Sequence, residues 1–455
     1  MGEPLPEGNQ RMRAPACRRT AIRCLLLIVL CACTAIWANQ EPDVESWIRD
    51  HTVPLRTVEP GGAADDLKFL EPLLEGRRIV SFGEGRHGAH EFLALRNRLF
   101  EFLVREHGFT AIALETDFSD AMRINRYLHG ESDFDERFVV GLFSFGGARL
   151  EENLQLLTWI RNYNANMKNG RQISVYGLDM MGKSTWMSSA SPMFSALDAC
   201  LAYIGEVDPS AAKEATARIN DFRKRIHNAE QYDQASEADQ NGLTAEIARI
   251  ASLYERNAID WSNATSRQRF SAARQLALNA LWADADLRAR GWWSARRDGD
   301  HRQRDAAMAS NLMWALEQEG ANGRILAFSH AGHAMKGRLL NEPSFRTMGE
   351  YLHSAVGDRL LVIGSTYSEG RAGRPGHVED IPAPARESLN HALAGAGTDL
   401  YALNLRQIEP ASIRSWWNDA KRIEHRVSGP YRYYETPPAA AFDVIVFVRR
   451  LTAVE

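Results

Sequence analysis

Residues 78–115 read RIVSFGEGRHGAHEFLALRNRLFEFLVREHGFTAIALE. Two short apolar runs, Ile79 to Phe82 and Ala111 to Leu114, bracket a periodic segment of helix length, the pattern of a β-α-β unit with parallel strands. Both strands then end on one edge of the sheet, the first in Gly83-Glu84-Gly85-Arg86-His87 and the second in Glu115. Open α/β sheets bind ligands outside the carboxyl ends of their strands, so ionisable residues at two such ends are candidates for one site. In the connecting helix, Phe92, Leu95, Leu99, Phe102 and Leu103 form one apolar face, and Gly108 is placed to close it in a left-handed cap. Arg96 falls roughly 40° round from Phe92, at the margin of that face, where a charge is either paired, aimed into a cavity or snorkelling to solvent. Arg98 and Arg105 lie well off the stripe.

The strand-then-acid arrangement recurs outward from this unit. Ile173 to Leu178 ends in Asp179, and Ile325 to Phe328 ends in Ser329-His330-Ala331-Gly332-His333. Arg359 to Ile363 and Val444 to Val448 are further apolar strands. Amphipathic helices are expected after a cap at Asp117 or Ser119, through Ala121, Ile124 and Leu128 to a stop at Gly130, over Glu151 to Asn169 and over Asp305 to Leu316. Trp186 to Arg297 shows no convincing strand and reads as a mainly helical insertion, with polar Ala229 to Asn241 an exposed turn between long helices. The expected class is therefore α/β, a mostly parallel central sheet flanked by helices. The expected division is a leader over 1–38, catalytic-domain halves over 39–184 and 301–455, and the insertion over 185–300.

At 455 residues the chain is long enough for a large core, and its formal charge of -4 gives no basic footprint for nucleic acid. Residues Arg11 to Arg23 are rich in Arg, and Cys24 to Ala38 reads CLLLIVLCACTAIWA, short for a membrane span and shaped like a signal peptide. Three readings follow: cleavage after Ala35 or Ala38; lipidation at Cys33 within a lipobox-like Leu30-Cys31-Ala32-Cys33; and an uncleaved anchor. The first two place the protein in the periplasm or outside the cell, and the second attaches it to a membrane. Four of the five cysteines lie in this leader, which leaves Cys200 alone in the mature chain, in an apolar helical context that suits a core residue.

Four strands thus deliver Glu84 and His87, Glu115, Asp179, and His330 and His333 to one edge, with Arg96 close behind. Two chemistries match this set. In one, His87 is a general base oriented by Glu84 or Glu115, and Arg96 or the later histidine supports the charge that develops on a carbonyl oxygen. In the other, the His87/His90 and His330/His333 pairs hold a divalent metal with the carboxylates. Trp282, Trp292 and Trp293 are core residues or walls of a pocket for a bulky apolar substrate. No GxSxG elbow occurs, which demotes a serine hydrolase.

The run GEGRHGAHEFLALRNRLFEFLVREHGFTAIALE, followed by INRYLHG at Ile124 to Gly130, resembles the opening motif of the erythromycin esterase family. The resemblance continues through LLTWIRNYN from Leu156, YGLD from Tyr176, RDAAMASNL from Arg304 and AFSHAGHAMKG from Ala327. It implies an α/β fold with a helical insertion and an esterase that opens a macrocyclic lactone by attack of water, with neither a bound metal nor another cofactor and no acyl-enzyme. By position it makes Glu84 and His87 the family's Glu-x-x-His pair with His87 as base, and matches Arg96, Glu115 and His330 to the family's arginine, second-strand glutamate and later histidine. Ala331 stands where that later motif usually has Asn, so any contact made by the amide side chain is lost. The expected partner is a small-molecule ester or lactone, held also by His333, Asp179, Trp292 and Trp293. A ligand-binding envelope protein without turnover is the reading from a different class.

Overall fold

The computed structural model describes residues 43–144, 150–167, 170–180, 192–290, 302–425 and 432–454. The leader and both Trp292 and Trp293 lie outside the described residues. Among those described, no helix is long and apolar enough to cross a membrane.

Six parallel strands carry the fold. In chain order these are β2 (Ile79–Glu84), β3 (Ala111–Asp117), β4 (Ser174–Asp179), β5 (Ile325–His330), β6 (Leu360–Arg374) and β11 (Val444–Leu451), lying side by side as β11-β6-β2-β5-β3-β4. Antiparallel β8 (Leu400–Asn404) and the short β1 (Val53–Pro54) extend the β11 side, and β7 (His377–Ile381) pairs back on β6. A separate hairpin joins β9 (Lys421–His425) to β10 (Arg432–Thr436). The sheet is therefore mixed and mostly parallel, with helices flanking it. Every residue of β2 and β5 is buried, so neither strand alternates; parallel strands covered on both faces read as continuous apolar runs.

The chain leaves β2 toward β3 and β4, returns to insert β5 between β2 and β3, and then crosses β2 to form β6. Connections thus leave the adjacent strands β2 and β5 in opposite directions. That reversal opens a crevice above their carboxyl ends, which is where open α/β sheets bind ligands.

The helix His90–His107 ends at Gly108 with φ 66°, in the left-handed cap read from the sequence. It is buried nearly all round rather than along one stripe, and Arg96 and Arg98 are both 2% exposed. Arg98 is inside because the segment 57–66 folds over it: its guanidinium donates to Asp66 and to the carbonyls of Thr57 and Ala63. Snorkelling does not apply to Arg96 either, whose partners are given below.

Pro192–Val207, Pro209–Arg223, Glu237–Arg256 and Arg267–Arg290 are the long helices of the segment between β4 and β5. They share a core that includes Leu197, Leu243, Tyr254 and Trp261, with Trp282 partly buried against it. Ala229 to Asn241 is not one exposed turn, since Ala229–Gln234 is a helical turn capped by Asn228 and the next long helix already begins at Glu237, capped by Ser236. Cys200 is buried in this core, with its thiol donating to the Leu197 carbonyl and burial pushing it up to about 12. The strands missing from the sequence reading, β1 and β7 to β10, are short or two-sided and carry no long apolar run.

Candidate active site

Glu84 ends β2 and His330 ends β5, and the two stand opposite each other in the parallel register. One turn beyond β2, His87 places Nδ1 2.6 Å from Glu84 Oε1. Its side chain remains 31% exposed, whereas that of Glu84 is 7% exposed, so the imidazole is the part of the pair that meets solvent. Burial lowers the affinity of His87 for a proton, but the charge and hydrogen bond of Glu84, with the charge of Glu115, outweigh it and raise its pKa above 6.5. A carboxylate on Nδ1 fixes the neutral ring with its proton there and its lone pair on Nε2.

The ring of His330 lies 4.8 Å from that of His87, centroid to centroid. Its Nδ1 accepts from the Gly332 amide at 3.3 Å and faces the Tyr434 hydroxyl at 3.0 Å. Among the described residues its buried Nε2 has no hydrogen-bond partner. Burial first, then the neighbouring His87, His425, His333 and Arg86, hold its pKa well below 6.5. His330 is thus a neutral imidazole with an unspent Nε2–H donor beside the candidate base. Glu84 Oε2 is likewise buried with no hydrogen-bond partner among the described residues.

Arg304 is the electrostatic hub. It begins the chain's return toward β5, in the helix Arg302–Gln318. Its Nη2 donates to Glu115 Oε1 at 2.8 Å and to Asp179 Oδ2 at 2.7 Å, and its Nη1 lies 2.9 Å from His333 Nε2. The other nitrogen of His333 sits 2.9 Å from Asp305, which also accepts from the Met348 amide at 2.8 Å. Glu115 Oε2 accepts from the backbone amide of His330 at 2.7 Å. Burial alone would raise Glu115, but the charges of His333, Arg304 and His87 and this amide bring it down to about 2. Burial lowers Arg304 in turn, yet Asp179 and Glu115 together hold it above its ordinary value.

Arg96 stands behind this front. Its guanidinium donates twice to Asn97 Oδ1, reaches the Glu152 carbonyl at 3.4 Å, and lies 5.0 Å over the Phe328 ring. Burial lowers it to about 10 against the opposing charges of Glu84 and Glu152, so it remains cationic at neutral pH.

The structure therefore brings Glu84, His87, Glu115, His330, Asp179 and His333 together and keeps Arg96 within electrostatic reach. Asp179 and His333 face Arg304 and Asp305 rather than an open space. The two histidine pairs do not converge as ligands. His90 turns away, with Nδ1 2.6 Å from Glu152 and Nε2 2.8 Å from Glu59, and both nitrogens of His333 are engaged. Among the described residues no group of His, Cys, Asp and Glu is arranged to hold a metal ion.

Sequence reasoning missed Arg304, Asp305, His425 and Tyr434. Two buried carboxylates at neighbouring strand ends demand a cation, and that demand was the available pointer to Arg304. Nothing comparable marks Tyr434, which comes from a hairpin outside the main sheet.

A model of the erythromycin esterase family matches residues 104–451, and the chain belongs to that family. Membership supports hydrolase activity on a small molecule. Erythromycin esterase type II of Escherichia coli is 25% identical over 390 residues, 82% of this chain and 90% of that one. The putative hydrolase YbfO of Bacillus subtilis is 21% identical over 373 residues, 76% of this chain and 78% of its own. Among solved structures, a Bacillus cereus protein superposes with a TM-score of 0.76 at 22% identity, covering 91% of this chain and 98% of that one. A mutant of the erythromycin esterase EreC in its open conformation gives 0.70 at 20% identity, covering 89% and 98%. These structures speak for the fold.

Proposed function

We propose that this chain hydrolyses carboxylic ester or lactone bonds, with His87 as the general base that activates water. The observation that carries the reading is the pairing of two differently tuned histidines at adjacent strand ends: His87, held up by Glu84, and His330, held neutral with Nε2–H unspent.

In the reaction, Nε2 of His87 removes a proton from water as the water oxygen bonds to the carbonyl carbon, and the carbonyl electron pair moves onto oxygen. The resulting oxyanion accepts from His330 Nε2–H, a donor already in place before reaction. Collapse of the tetrahedral adduct expels the alcohol oxygen, which takes the proton back from His87. One water is consumed, and the products are an acid and an alcohol, joined in one hydroxy acid where the substrate is a lactone. Glu84 supports the imidazolium formed midway, while Arg304 keeps Glu115 ionised beside it.

The names of the relatives make macrolide lactones the first substrates to try, beside simple esters. His87→Ala should lower kcat by about 10²–10⁴-fold, the usual contribution of a general base. Chelator should leave wild-type turnover unchanged. Activity that survives His87→Ala would overturn the assignment, and loss with chelator would favour the metal-dependent chemistry. We also propose that the leader exports the chain; the intact mass of the exported protein separates cleavage after Ala35 or Ala38 from lipidated Cys33.

A further inference from the structure

The β9–β10 hairpin lies off the main sheet, yet it closes over His330. The Tyr434 and His425 rings stack at 3.5 Å with 13° between their planes, and the His425 ring meets that of His330 edge-on at 5.4 Å. Tyr434 reaches His330 Nδ1 through its hydroxyl at 3.0 Å. The hairpin is itself held to the sheet. Fully buried Asn390 accepts from the Glu424 amide at 2.9 Å and donates to Thr366 Oγ1 at 2.8 Å and the Tyr367 carbonyl at 2.9 Å. On the other strand, the Glu435 amide donates to Asn341 Oδ1 at 3.0 Å and Asn341 donates to the Tyr433 carbonyl at 3.1 Å. The hydroxyl is therefore presented from a fixed frame.

We propose that Tyr434 is a positioning residue that holds His330 in its neutral Nε2–H tautomer. Of the two groups facing Nδ1, the Gly332 amide can only donate, which leaves Nδ1 an acceptor and turns the Tyr434 hydroxyl to donate as well. The Gly332 amide has no acceptor capacity, and its contact is long at 3.3 Å, so on its own it specifies the tautomer weakly. The Tyr434 hydroxyl adds the shorter bond. A proton on Nδ1 would face the Gly332 N–H and would force the hydroxyl to turn its hydrogen elsewhere. Of the titratable and charged groups around His330, His87, His425, His333 and Arg86 oppose its protonation as well, against the carboxylates of Glu84, opposite it in the β2 register, and Glu115, bonded to its backbone amide. With Nδ1 so occupied, the ring's proton resides on Nε2, the atom with no partner among the described residues. What that donor meets, a carbonyl oxygen, rests on the hydrolase reading; the tautomer does not.

The test is Tyr434→Phe, which keeps the ring and its stack on His425 while removing the hydroxyl. Nitrogen-15 spectra of histidine-labelled protein, with His330 assigned through His330→Asn, report tautomer and titration without any substrate. The wild type should show a pyrrole-type Nε2 and an unprotonated Nδ1 at pH 7. Tyr434→Phe should move the His330 titration midpoint upward and, on any ester that is turned over, lower kcat about tenfold with KM little changed. An Nδ1–H or cationic His330 in the wild type would overturn the proposal, as would an unmoved titration in Tyr434→Phe. Absence of turnover across the ester panel, with the tautomer as expected, would withdraw the hydrolase reading and leave the role of Tyr434 intact.

Discussion

His330 stands directly across from Glu84 in the β5–β2 register, so one pair of neighbouring strand ends carries both the carboxylate that tunes His87 and the imidazole that faces it. The charge of Glu84 is the principal force raising His87 against burial, which places the acidic limb of the kcat/KM profile above pH 6.5: the base works only once it has lost its proton. Glu84→Gln keeps an acceptor for Nδ1–H and removes the charge. The limb should then move to lower pH and the plateau should fall by about 10–100-fold, as expected for a weaker base. A limb that stays where it was would assign the titration to another group.

Arg304 holds two carboxylates, Glu115 and Asp179, whose side chains are 8% and 0% exposed. Arg304→Met leaves both charges buried without their cation, and the cost should be about 3–5 kcal/mol in urea denaturation at pH 7. A cost of only a few tenths would show that water reaches these carboxylates in solution.

Glu115 gives the same network a pH signature. Its pKa lies at about 2 in the folded chain against 4.5 ordinarily, so its contribution is fully present above pH 4.5 and is lost as pH falls from there toward 2. By linkage the shift corresponds to about 3 kcal/mol. Denaturation followed from pH 6 down to pH 3.5 should show a shallower loss of stability in Glu115→Gln than in the wild type, and parallel curves would sink the idea.

The central sheet was legible because β2, β3, β4, β5, β6 and β11 are buried on both faces, and such strands announce themselves as unbroken apolar runs. The acids and histidines were legible as one group for the same reason, since each follows its run directly. What escaped was everything specified by tertiary contact. Burial of Arg98 depends on a segment about 30 residues upstream folding over it through Asp66, which no helical periodicity encodes. Arg304 lies in a helix whose own pattern asks for nothing at that position, and Tyr434 approaches His330 across 104 residues of chain. Spacing within HxxH also misled: three residues after a strand end, His90 already points along the helix toward Glu152 and Glu59.

His90 supplies a prediction that separates the two chemistries. Hydrogen bonds and charges from Glu152 and Glu59 outweigh burial and raise its pKa to about 9, so it is cationic at neutral pH and unsuited to bind a metal there. The stabilisation from this clamp is fully present below pH 6.5 and is lost as pH rises through about 9. Melting temperature should therefore drop between pH 7 and pH 10 in the wild type and drop less in His90→Gln. Turnover at pH 7 should survive in the variant; its loss would return His90 to the reacting centre.

Gly332 ties the turn after β5 to the hairpin. A Cβ built on Gly332 would run into the Tyr434 hydroxyl and ring, so this close approach requires glycine even though the backbone there is ordinary. Gly332→Ala should cost about 1–3 kcal/mol, the usual penalty of forcing a methyl into a packed contact. The two sides of the clash are coupled, which makes a double-mutant cycle decisive. In a Tyr434→Ala background the ring is gone, and the same glycine substitution should cost much less, with the difference appearing as interaction energy between the sites. Additive costs would mean that the turn, and not the hairpin, resists the methyl, and that His330 and Tyr434 are less closely held than their 3.0 Å contact indicates.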